Sequence, residues 1–275
     1  MSNTVLIHLE ISLDISEKKI RNIIVLFLIA LQILCIIFVI PRYSTRFMTA
    51  LPHWPVRCPV NTPAILVIGQ SQASNTGEER RIPKINHNSY SFKENSCYML
   101  RDPMPGTGGL SGSLWPSFVD YLNTPIVIAN ISVSGSSIED WTTIESINKI
   151  RFILDDMYKS GYRDPIILWM QGETNGGLKT SRDIYYSELK KLISVAPKNK
   201  WVLTRESICY DVQEKWLPLD EARNDIIKYY SNVVIGPDID KIPLSMRLLD
   251  KCHLRKSGQD WLAAKLSVTI IKLIK

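Results

Sequence analysis

The sequence has few of the features that mark a metal-binding or nucleic-acid-binding protein. Its five cysteines include no C-x-x-C pair, so their spacing does not indicate a zinc site. Lysine and arginine are scattered, and no basic run is interleaved with aromatic residues in the way that follows a phosphate backbone. There is no internal repeat and no low-complexity tract. We therefore expect no bound metal and no nucleic-acid partner.

The composition is typical of a folding, globular chain. Of the 275 residues, 45% are hydrophobic and 22% are charged, and the formal net charge is +6. This hydrophobic content excludes disorder over the whole chain. The length accommodates one sizeable α/β domain and an appendage, and the excess positive charge is interpreted as a solvated basic surface.

An apolar segment near the N-terminus differs from the rest of the chain. Residues 23–40 are apolar throughout except for Gln32, and charged residues flank them on both sides. A run of about eighteen residues is at the short end of what crosses a bilayer. A cleaved signal peptide fits less well, because the lead-in is long and partly acidic and no small-x-small pattern follows. A buried core helix lacks the expected polar face. We predict a short tail over 1–21 and a single-pass transmembrane anchor over 22–41.

The cysteines bear on the compartment. Cys35 lies in the apolar segment, and four others follow it: Cys58, Cys97, Cys209 and Cys252. Four dispersed cysteines after an export-like segment fit two disulfides in an oxidising compartment, and buried reduced thiols are the alternative. Positive charges on the two sides nearly balance and do not decide the orientation of the segment. We expect the C-terminal domain outside the cytoplasm, in a periplasmic, extracellular or lumenal space.

The pattern then changes to that of a parallel sheet covered by helices. After a proline-rich tether at 42–61, short apolar runs alternate with helical patterns over 62–275. The predicted strands are 64–68, 125–131, 165–170, 200–205 and 232–236. The predicted helices are 144–158, 182–195 and 256–273, and 75–96 and 103–113 are expected to be loops. The fold class is therefore α/β, a three-layer α/β/α sandwich around a central parallel sheet.

Polar residues directly follow three of these strands. Ser71 follows the first strand in Gly69-Gln70-Ser71, Gly135 follows the second, and Gln171 follows the third. Chemistry in open parallel sheets collects at the carboxyl ends of the strands, so these residues should converge on one rim. A serine at a tight turn after a strand exposes its hydroxyl, and backbone N–H groups there face a developing oxyanion. Ser71 is the predicted nucleophile, with a simple polar turn as the alternative.

A histidine near the C-terminus supplies the matching base. In Asp250-Lys251-Cys252-His253, an acid stands three residues before the histidine. Imidazole accepts and returns a proton near neutral pH, and a partner acid fixes the tautomer that faces the serine. The other histidines lie before the apolar segment, in the tether and in a polar loop. We predict that Ser71, His253 and Asp250 form a catalytic triad.

The same motif bears on the disulfide pairing. Cys209 follows a predicted strand, and Cys252 lies beside the histidine, so both should lie at one end of the sheet. This favours Cys209–Cys252 and Cys58–Cys97 among the three connectivities.

Together these residues resemble the SGNH esterase superfamily, and specifically its sialate O-acetylesterase and acetylxylan esterase branch. The Gly-Gln-Ser block, the Asp-x-x-His block and Gln171-Gly172-Glu173 carry the resemblance, which covers residues 62–275. It implies an SGNH, flavodoxin-like fold and an oxyanion site formed by the Ser71 N–H, the Gly135 N–H and the Gln171 amide. Gln70 and Glu173 are expected to support that site.

Several roles stay open at this point. Gly135 is alternatively an ordinary loop glycine, and Gln171 a residue that caps backbone groups. Glu173 either braces the nucleophile or competes with Asp250 as the acid partner of His253, and the fixed local spacing favours Asp250.

The roles of the tryptophans, of Gln72 and of Cys252 near these blocks also have to be weighed. Trp141 and Trp169 are expected to be packing residues, with a sugar platform as the alternative. The related branch commonly has asparagine directly after the nucleophile, whereas this chain has Gln72, so the contact that asparagine makes is in doubt. Cys252 is disfavoured as a thiol nucleophile, because adjacent residues of an extended loop point in opposite directions.

The resemblance implies a serine esterase that removes O-acetyl groups from a carbohydrate through an acyl-enzyme at Ser71, with no metal and no organic cofactor. One alternative is a sugar O-acetyltransferase that uses the same triad. Another is a catalytically inactive carbohydrate-binding module. A lipase-like substrate is disfavoured, because no long apolar segment beyond residue 40 resembles a lid for an acyl chain.

Overall fold

The computed structural model describes residues 17–34, 53–85, 88–210, 212 and 214–274. The chain divides into two units, Met1–Phe47 and Met48–Lys275. In the first unit the helix α1 covers Glu17–Leu34. Residues 1–16 of the predicted tail, 35–41 of the predicted anchor and 42–52 of the predicted tether lie outside the described residues.

The helix α1 does not support the predicted anchor. Its eighteen residues begin EKKIR and therefore carry four charged side chains. Among the described residues, no helix is both long enough and apolar enough to cross a membrane.

The second unit is built on an eight-stranded sheet with the order β1-β4-β3-β5-β2-β6-β7-β8. The strands are β1 Pro55–Val56, β2 Ala64–Gly69, β3 Tyr90–Lys93, β4 Ser96–Met99, β5 Val127–Asn130, β6 Ile166–Met170, β7 Trp201–Arg205 and β8 Val233–Asp238. Six of them run parallel, from β3 through β5, β2, β6 and β7 to β8. At the edge, β4 is antiparallel to β3, and β1 is antiparallel to β4. The sheet is therefore mixed rather than purely parallel.

Two hydrophobic cores lie on opposite faces of the sheet. Alternate residues of β2 enter different cores: Leu66 and Ile68 enter one, and Ile65 and Val67 the other. This follows from the two-residue period of a strand that is buried on both faces. The helices of this unit are α2 Trp115–Leu122, α3 Ile138–Trp141, α4 Ile144–Lys159, α5 Glu173–Gly177, α6 Arg182–Ile193, α7 Leu217–Tyr229 and α8 Lys256–Ile274.

These helices form the outer layers. The core around Leu66 includes the buried faces of α4, α6 and α7, whereas the core around Ile65 includes those of α2 and α8. Helices on both faces of a mainly parallel sheet make three layers. All five predicted strands are present, and the predicted helices correspond to α4, α6 and α8.

The elements that were not predicted lie mainly at the sheet edge. Residues 90–96, which the sequence assigns to the loop at 75–96, belong instead to the hairpin β3–β4, which ends at Met99. Residues Pro55–Val56, expected in the tether, pair with β4 as β1. A disulfide joins Cys58, just after β1, to Cys97 in β4. These strands have four residues or fewer, too short for a clear alternation of polar and apolar residues.

The two edges of the sheet differ in what they carry. The segments after β2, β5, β6, β7 and β8 leave from the carboxyl edge, which holds the sequence-predicted site residues. At the amino edge the chain enters β2 at Ala64, and α8 ends at Ile274. A cleft of about 890 Å³ lies there, lined by residues that include Ala64, Lys200 and Ile274. This cleft is therefore separate from the site described next.

Candidate active site

The candidate nucleophile follows a sharp turn at the end of β2. Gly69 has φ +155°, and a Cβ atom built on it would lie 1.9 Å from the carbonyl oxygen of Met170 in β6. The Gln70 N–H then donates to that same oxygen at 2.9 Å. Only glycine fits this approach, which turns the chain out of the sheet directly before Ser71.

Ser71 opens a short 3-10 turn over Ser71–Ala73. Its carbonyl oxygen accepts a hydrogen bond from Thr76 Oγ1 at 2.6 Å. The carbonyl oxygen of Ala73 accepts two more, from Asn130 Nδ2 at 2.7 Å and from Trp115 Nε1 at 2.8 Å. The backbone of the turn is thus fixed by side chains from β5 and α2, and Ser71 is 5% exposed.

The candidate base and acid are paired. His253 Nδ1 lies 2.7 Å from Asp250 Oδ2. The other carboxylate oxygen of Asp250 accepts from the backbone N–H groups of Cys252 at 2.9 Å and His253 at 3.0 Å. Burial alone would raise the pKa of Asp250, but the hydrogen bonds from His253 and from these N–H groups lower the pKa overall. Asp250 therefore stays ionised. Because a carboxylate can only accept hydrogen bonds, His253 Nδ1 is the ring nitrogen that carries the proton.

Ser71 Oγ and His253 Nε2 make no hydrogen bond, to each other or to other described residues. Their loops are nevertheless connected one residue away. Gln72 Nε2 donates to the carbonyl oxygen of Cys252 at 2.7 Å. The residue after the candidate nucleophile is thereby bonded to the residue before the candidate base. This hydrogen bond is the contact that Gln72 makes at the position where the related branch commonly has asparagine.

Gly135 lies on the loop after β5, beside the nucleophile loop. The Val133 N–H donates to the Gly69 carbonyl at 2.9 Å, and Ser136 Oγ to the same oxygen at 3.3 Å. Gly135 itself has φ +75°, with nothing within 4 Å of a built Cβ atom. It is exposed, and its N–H makes no hydrogen bond to the described residues. This N–H is therefore free to bind a ligand oxygen.

Gln171 is completely buried and its amide is fully used within the protein. Nε2 donates to the Ser136 carbonyl at 3.2 Å and to Asn175 Oδ1 at 2.6 Å, and Oε1 accepts from Tyr185 Oη at 3.1 Å. An amide has only two N–H protons. In this arrangement Gln171 holds the loop that carries Gly135.

Gln70 connects the nucleophile loop to the start of α5. Its side-chain oxygen accepts from the Gly172 N–H at 3.4 Å and from the Thr174 N–H at 3.3 Å. These N–H groups belong to the helix start, where backbone donors have no partner within the helix. The side chain of Gln70 therefore joins the Gly69-Gln70-Ser71 block to the Gln171-Gly172-Glu173 block.

Glu173 lies beneath the site and not on the imidazole. It is 3% exposed, and neither carboxylate oxygen has a hydrogen-bond partner among the described residues. Burial raises its pKa to about 7, and the charge of Asp240 adds to that rise, while Arg247 and Arg223 oppose it. His253 pairs with Asp250, and Glu173 makes no hydrogen bond that would brace the nucleophile loop, so an electrostatic role is what its position leaves.

The buried surroundings of Glu173 were not predicted from the sequence. Glu206 is likewise buried, and burial together with the charge of Glu173 raises its pKa well above the usual value. Arg223 is 1% exposed and donates to the Gln171 carbonyl at 2.7 Å and to Asp220 at 3.1 Å. No motif marks these residues, because each comes from a different element and only the fold brings them together.

The aromatic residues near the site separate into buried and exposed ones. Trp141 and Trp169 pack edge to face with ring centroids 6.3 Å apart, and both are buried. They are packing residues, as predicted. The aromatic ring that reaches the site is instead Tyr210, which is 55% exposed and lies edge to face with His253 at 6.1 Å. Its position after β7 was its only signal in the sequence.

The disulfides are the predicted pairs, Cys58–Cys97 and Cys209–Cys252. Cys252 is therefore not a free thiol. Within the described part of the chain, no group of three or more His, Cys, Asp or Glu side chains is placed to hold a metal ion.

No protein-family model matches this chain, and no curated protein sequence matches it. Solved structures match it in three dimensions. A protein from Arabidopsis thaliana is 17% identical, with 79% of this chain and 100% of that chain covered and a TM-score of 0.62. A carbohydrate esterase family 3 protein from Talaromyces cellulolyticus is 11% identical over 78% of this chain and 98% of that chain, with a TM-score of 0.53.

A family 3 carbohydrate esterase from Clostridium thermocellum is 12% identical over 78% of this chain and 99% of that chain, with a TM-score of 0.50. This chain shares their fold. The likeness extends over nearly the whole of each of these proteins.

Proposed function

We propose that this chain is an SGNH-type serine esterase that removes O-acetyl groups from a carbohydrate. One observation carries the proposal. His253 pairs with Asp250, and the carbonyl of the preceding residue, Cys252, accepts a hydrogen bond from Gln72, the residue after Ser71. A serine, a base and an orienting acid at one edge of a sheet are the parts that acyl transfer needs.

In the first half of the reaction, Ser71 Oγ attacks the carbonyl carbon of the acetyl ester. His253 Nε2 accepts the hydroxyl proton, while Asp250 stabilises the resulting imidazolium through Nδ1. The Ser71 and Gly135 N–H groups bind the tetrahedral oxyanion. The intermediate collapses, the C–O bond to the sugar breaks, and the sugar oxygen takes the proton from His253.

In the second half, water attacks the acetyl-Ser71 ester. His253 accepts a proton from that water, a second tetrahedral intermediate forms at the same N–H groups, and its collapse releases acetate. The proton returns from His253 to Ser71 Oγ. Gln171 and Gln70 keep the three blocks in register through their hydrogen bonds.

The substrate class rests on three supports. The resemblance of the sequence blocks favours the sialate O-acetylesterase and acetylxylan esterase branch, and two of the structures that share the fold are described as carbohydrate esterases of family 3. The exposed ring of Tyr210 beside His253 offers an aromatic surface of the kind that sugar rings contact.

The test is acetate release from 4-nitrophenyl acetate and from an acetylated oligosaccharide by the full chain, purified without reductant. Wild type is compared with Ser71→Ala and His253→Ala. We expect both to lose at least about a thousandfold in kcat, because nucleophile and base act as a unit. Ser231→Ala, an exposed serine far along the chain, is the matched control and should keep wild-type activity.

Other outcomes identify the alternatives. Acyl transfer that needs an oligosaccharide acceptor, with no release to water, would indicate an O-acetyltransferase. Saccharide binding by a folded wild-type chain without any turnover would indicate a binding module and contradict the esterase proposal.

For the compartment, we propose that residues 53–274 function where disulfides form. The two cysteine pairs support this, since such bonds persist mainly in oxidising compartments. Alkylation of the protein in intact cells, followed by mass determination, would measure whether the four thiols are blocked or free. Four free thiols in the native protein would contradict it.

A further inference from the structure

Two independent contacts converge on Cys252, the residue before His253. Its side chain forms a disulfide with Cys209, which follows β7. Its carbonyl oxygen accepts from Gln72 Nε2 at 2.7 Å. Cys252 is completely buried, and Gln72 is 6% exposed. Cys252, the residue before His253, is thus held by a disulfide from one neighbouring loop and by a side-chain amide from another.

The rest of the histidine loop, residues 247–254, has little packing of its own. Leu249 is almost fully exposed, and Lys251 is exposed with φ +59°. Hydrogen bonds within the loop set its local shape, such as that from the Leu248 N–H to the His253 carbonyl at 2.7 Å. With so few buried side chains, its place relative to the sheet depends on its anchors. The anchors on either side of His253 are the buried residues Cys252 and Leu254.

Arg247 fixes the base of this loop. It is 2% exposed and donates to four carbonyl oxygens, those of Ile208, Ile239, Ile242 and Cys252. The Cys252 carbonyl therefore accepts from both Arg247, at 3.1 Å, and Gln72. Of these two donors, only Gln72 comes from the nucleophile loop, and so its bond is the one at this carbonyl that joins the loops of Ser71 and His253.

We infer that Gln72 is a positioning residue for the reaction, which places His253 relative to Ser71 through the Cys252 carbonyl and depends on the Cys209–Cys252 disulfide to keep that carbonyl in place. The inference rests on the proposed esterase function. It assigns a role to the one position in the nucleophile block that departs from the asparagine of the related branch.

The first experiment measures kcat, KM and the pH dependence of kcat/KM for Gln72→Ala and Gln72→Glu. Glutamate has nearly the same shape but, when ionised, it cannot donate and repels the carbonyl. We expect kcat to fall about ten- to a hundredfold in both variants with KM nearly unchanged, as for a misplaced catalytic group. We also expect the apparent pKa of the kcat/KM profile to move, because the surroundings of His253 change.

Asn232→Ala is the matched control. Asn232 Nδ2 also donates to backbone carbonyls, of Pro197 at 3.0 Å and Asn199 at 2.6 Å, but at the amino edge of the sheet. Its loss should affect thermal stability and leave kcat and the pH profile at wild-type values. A Gln72→Ala chain that loses stability as the control does, but keeps the wild-type kcat and pH profile, overturns the inference.

The dependence on the disulfide is tested by combining variants. In the double variant Cys209→Ser/Cys252→Ser, the Cys252 carbonyl keeps its bond from Arg247 but loses the covalent anchor beside it, so the Gln72 bond should already be weakened. Adding Gln72→Ala should then lower kcat by less than about threefold, far less than in the disulfide-bonded chain. Independent, multiplicative losses would contradict a shared action through Cys252.

Failure of the inference is distinguishable from failure of the proposed function. If Ser71→Ala keeps its activity, the esterase proposal itself fails. If Ser71→Ala is inactive while Gln72→Ala has wild-type kcat, only the positioning role fails. Should the cysteine variant not fold, the comparison of Gln72→Ala and Gln72→Glu with Asn232→Ala still decides the positioning role, because none of these substitutions touches a disulfide.

Discussion

Gly69 lies so close to Met170 that a Cβ atom on it would be 1.9 Å from the Met170 carbonyl oxygen. The strands β2 and β6 therefore leave no room for a side chain at the point where the chain leaves the sheet toward Ser71. The site depends on the backbone at this position, and not only on the side chains that surround it.

Gly69→Ala should lower the free energy of unfolding by about 3 kcal/mol, because the added methyl group forces the strand ends apart. Chemical denaturation measures it. Gly108→Ala is the matched control from a nearby loop, since nothing lies within 4 Å of its built Cβ atom; its change should stay within about 0.5 kcal/mol. Equal effects of the two substitutions would contradict the steric argument.

The acid partner of His253 can be tested directly. Asp250→Asn should lower kcat about a thousandfold or more. The variant would favour the tautomer with the proton on Nε2, and this nitrogen could then not accept the proton of Ser71. Glu173→Gln should leave kcat within about tenfold, since Glu173 does not contact the imidazole. Steady-state kinetics at a single pH suffice, and the reverse order of the two effects would assign the acid role to Glu173.

Glu173 should make the protein less stable as the pH rises. Its pKa is raised from 4.5 to about 7 in the folded chain. Between these values the unfolded chain releases a proton that the folded chain keeps, so stability is fully present below about pH 4.5 and falls up to about pH 7. A shift of this size corresponds to about 3 kcal/mol.

The measurement is the free energy of unfolding of wild type and Glu173→Gln from pH 4 to pH 8. We expect the variant to lose less stability over this window and to exceed the wild type at pH 8. The charged neighbours of Glu173 are Glu206, Asp240, Arg223 and Arg247, and they are the same in both chains. Parallel curves for the two proteins would show that Glu173 titrates normally.

The two disulfides should differ in their effect on catalysis. Cys58–Cys97 joins the edge strands, 39 residues apart in sequence, and makes no contact with the site residues. Cys58→Ser/Cys97→Ser should lower the free energy of unfolding by about 3 kcal/mol and leave kcat at its wild-type value below the melting temperature. Loss of kcat in the folded variant would mean that the edge strands influence the site.

Tyr210 should contribute to saccharide binding. Tyr210→Ala removes the aromatic surface beside His253 and should raise KM for an acetylated oligosaccharide about tenfold. KM for 4-nitrophenyl acetate should change much less, because that substrate lacks a sugar. Tyr229→Ala, which removes another exposed tyrosine, serves as the control, and a KM equal to wild type in Tyr210→Ala would exclude the contact.

The sequence predicted the parts of the fold that have a strong apolar pattern. The central strands could be identified as short continuous apolar runs, and the long helices α4, α6 and α8 because their apolar residues recur every three to four residues. The hairpin β3–β4 could not, because Tyr90–Lys93 and Ser96–Met99 are short and half polar. Strand β1, of two residues, is defined only by its pairing with β4 and by a disulfide.

For the site, local spacing was informative and long-range contacts were not. Asp250 and His253 are three residues apart, so their pairing could be predicted. The bond from Gln72 to Cys252 spans 180 residues, and the positions of Arg223 and Glu206 depend on packing between elements. The Gln171 amide shows the same limit, because one of the groups that occupy it, the Ser136 carbonyl, is 35 residues away in the chain.

The opposite edges of the sheet have a practical consequence for handling the protein. The last turn of α8 lies at the amino edge, where Lys200 Nζ donates to the Leu273 carbonyl at 2.7 Å. An affinity tag or a sensor-surface attachment placed after Ile274 therefore leaves from the pole opposite Ser71 and His253. Molecules immobilised in this way would all have the same orientation. The edge with Ser71 and His253 would face the solution, where a polymer too large to enter between neighbouring molecules can still reach it.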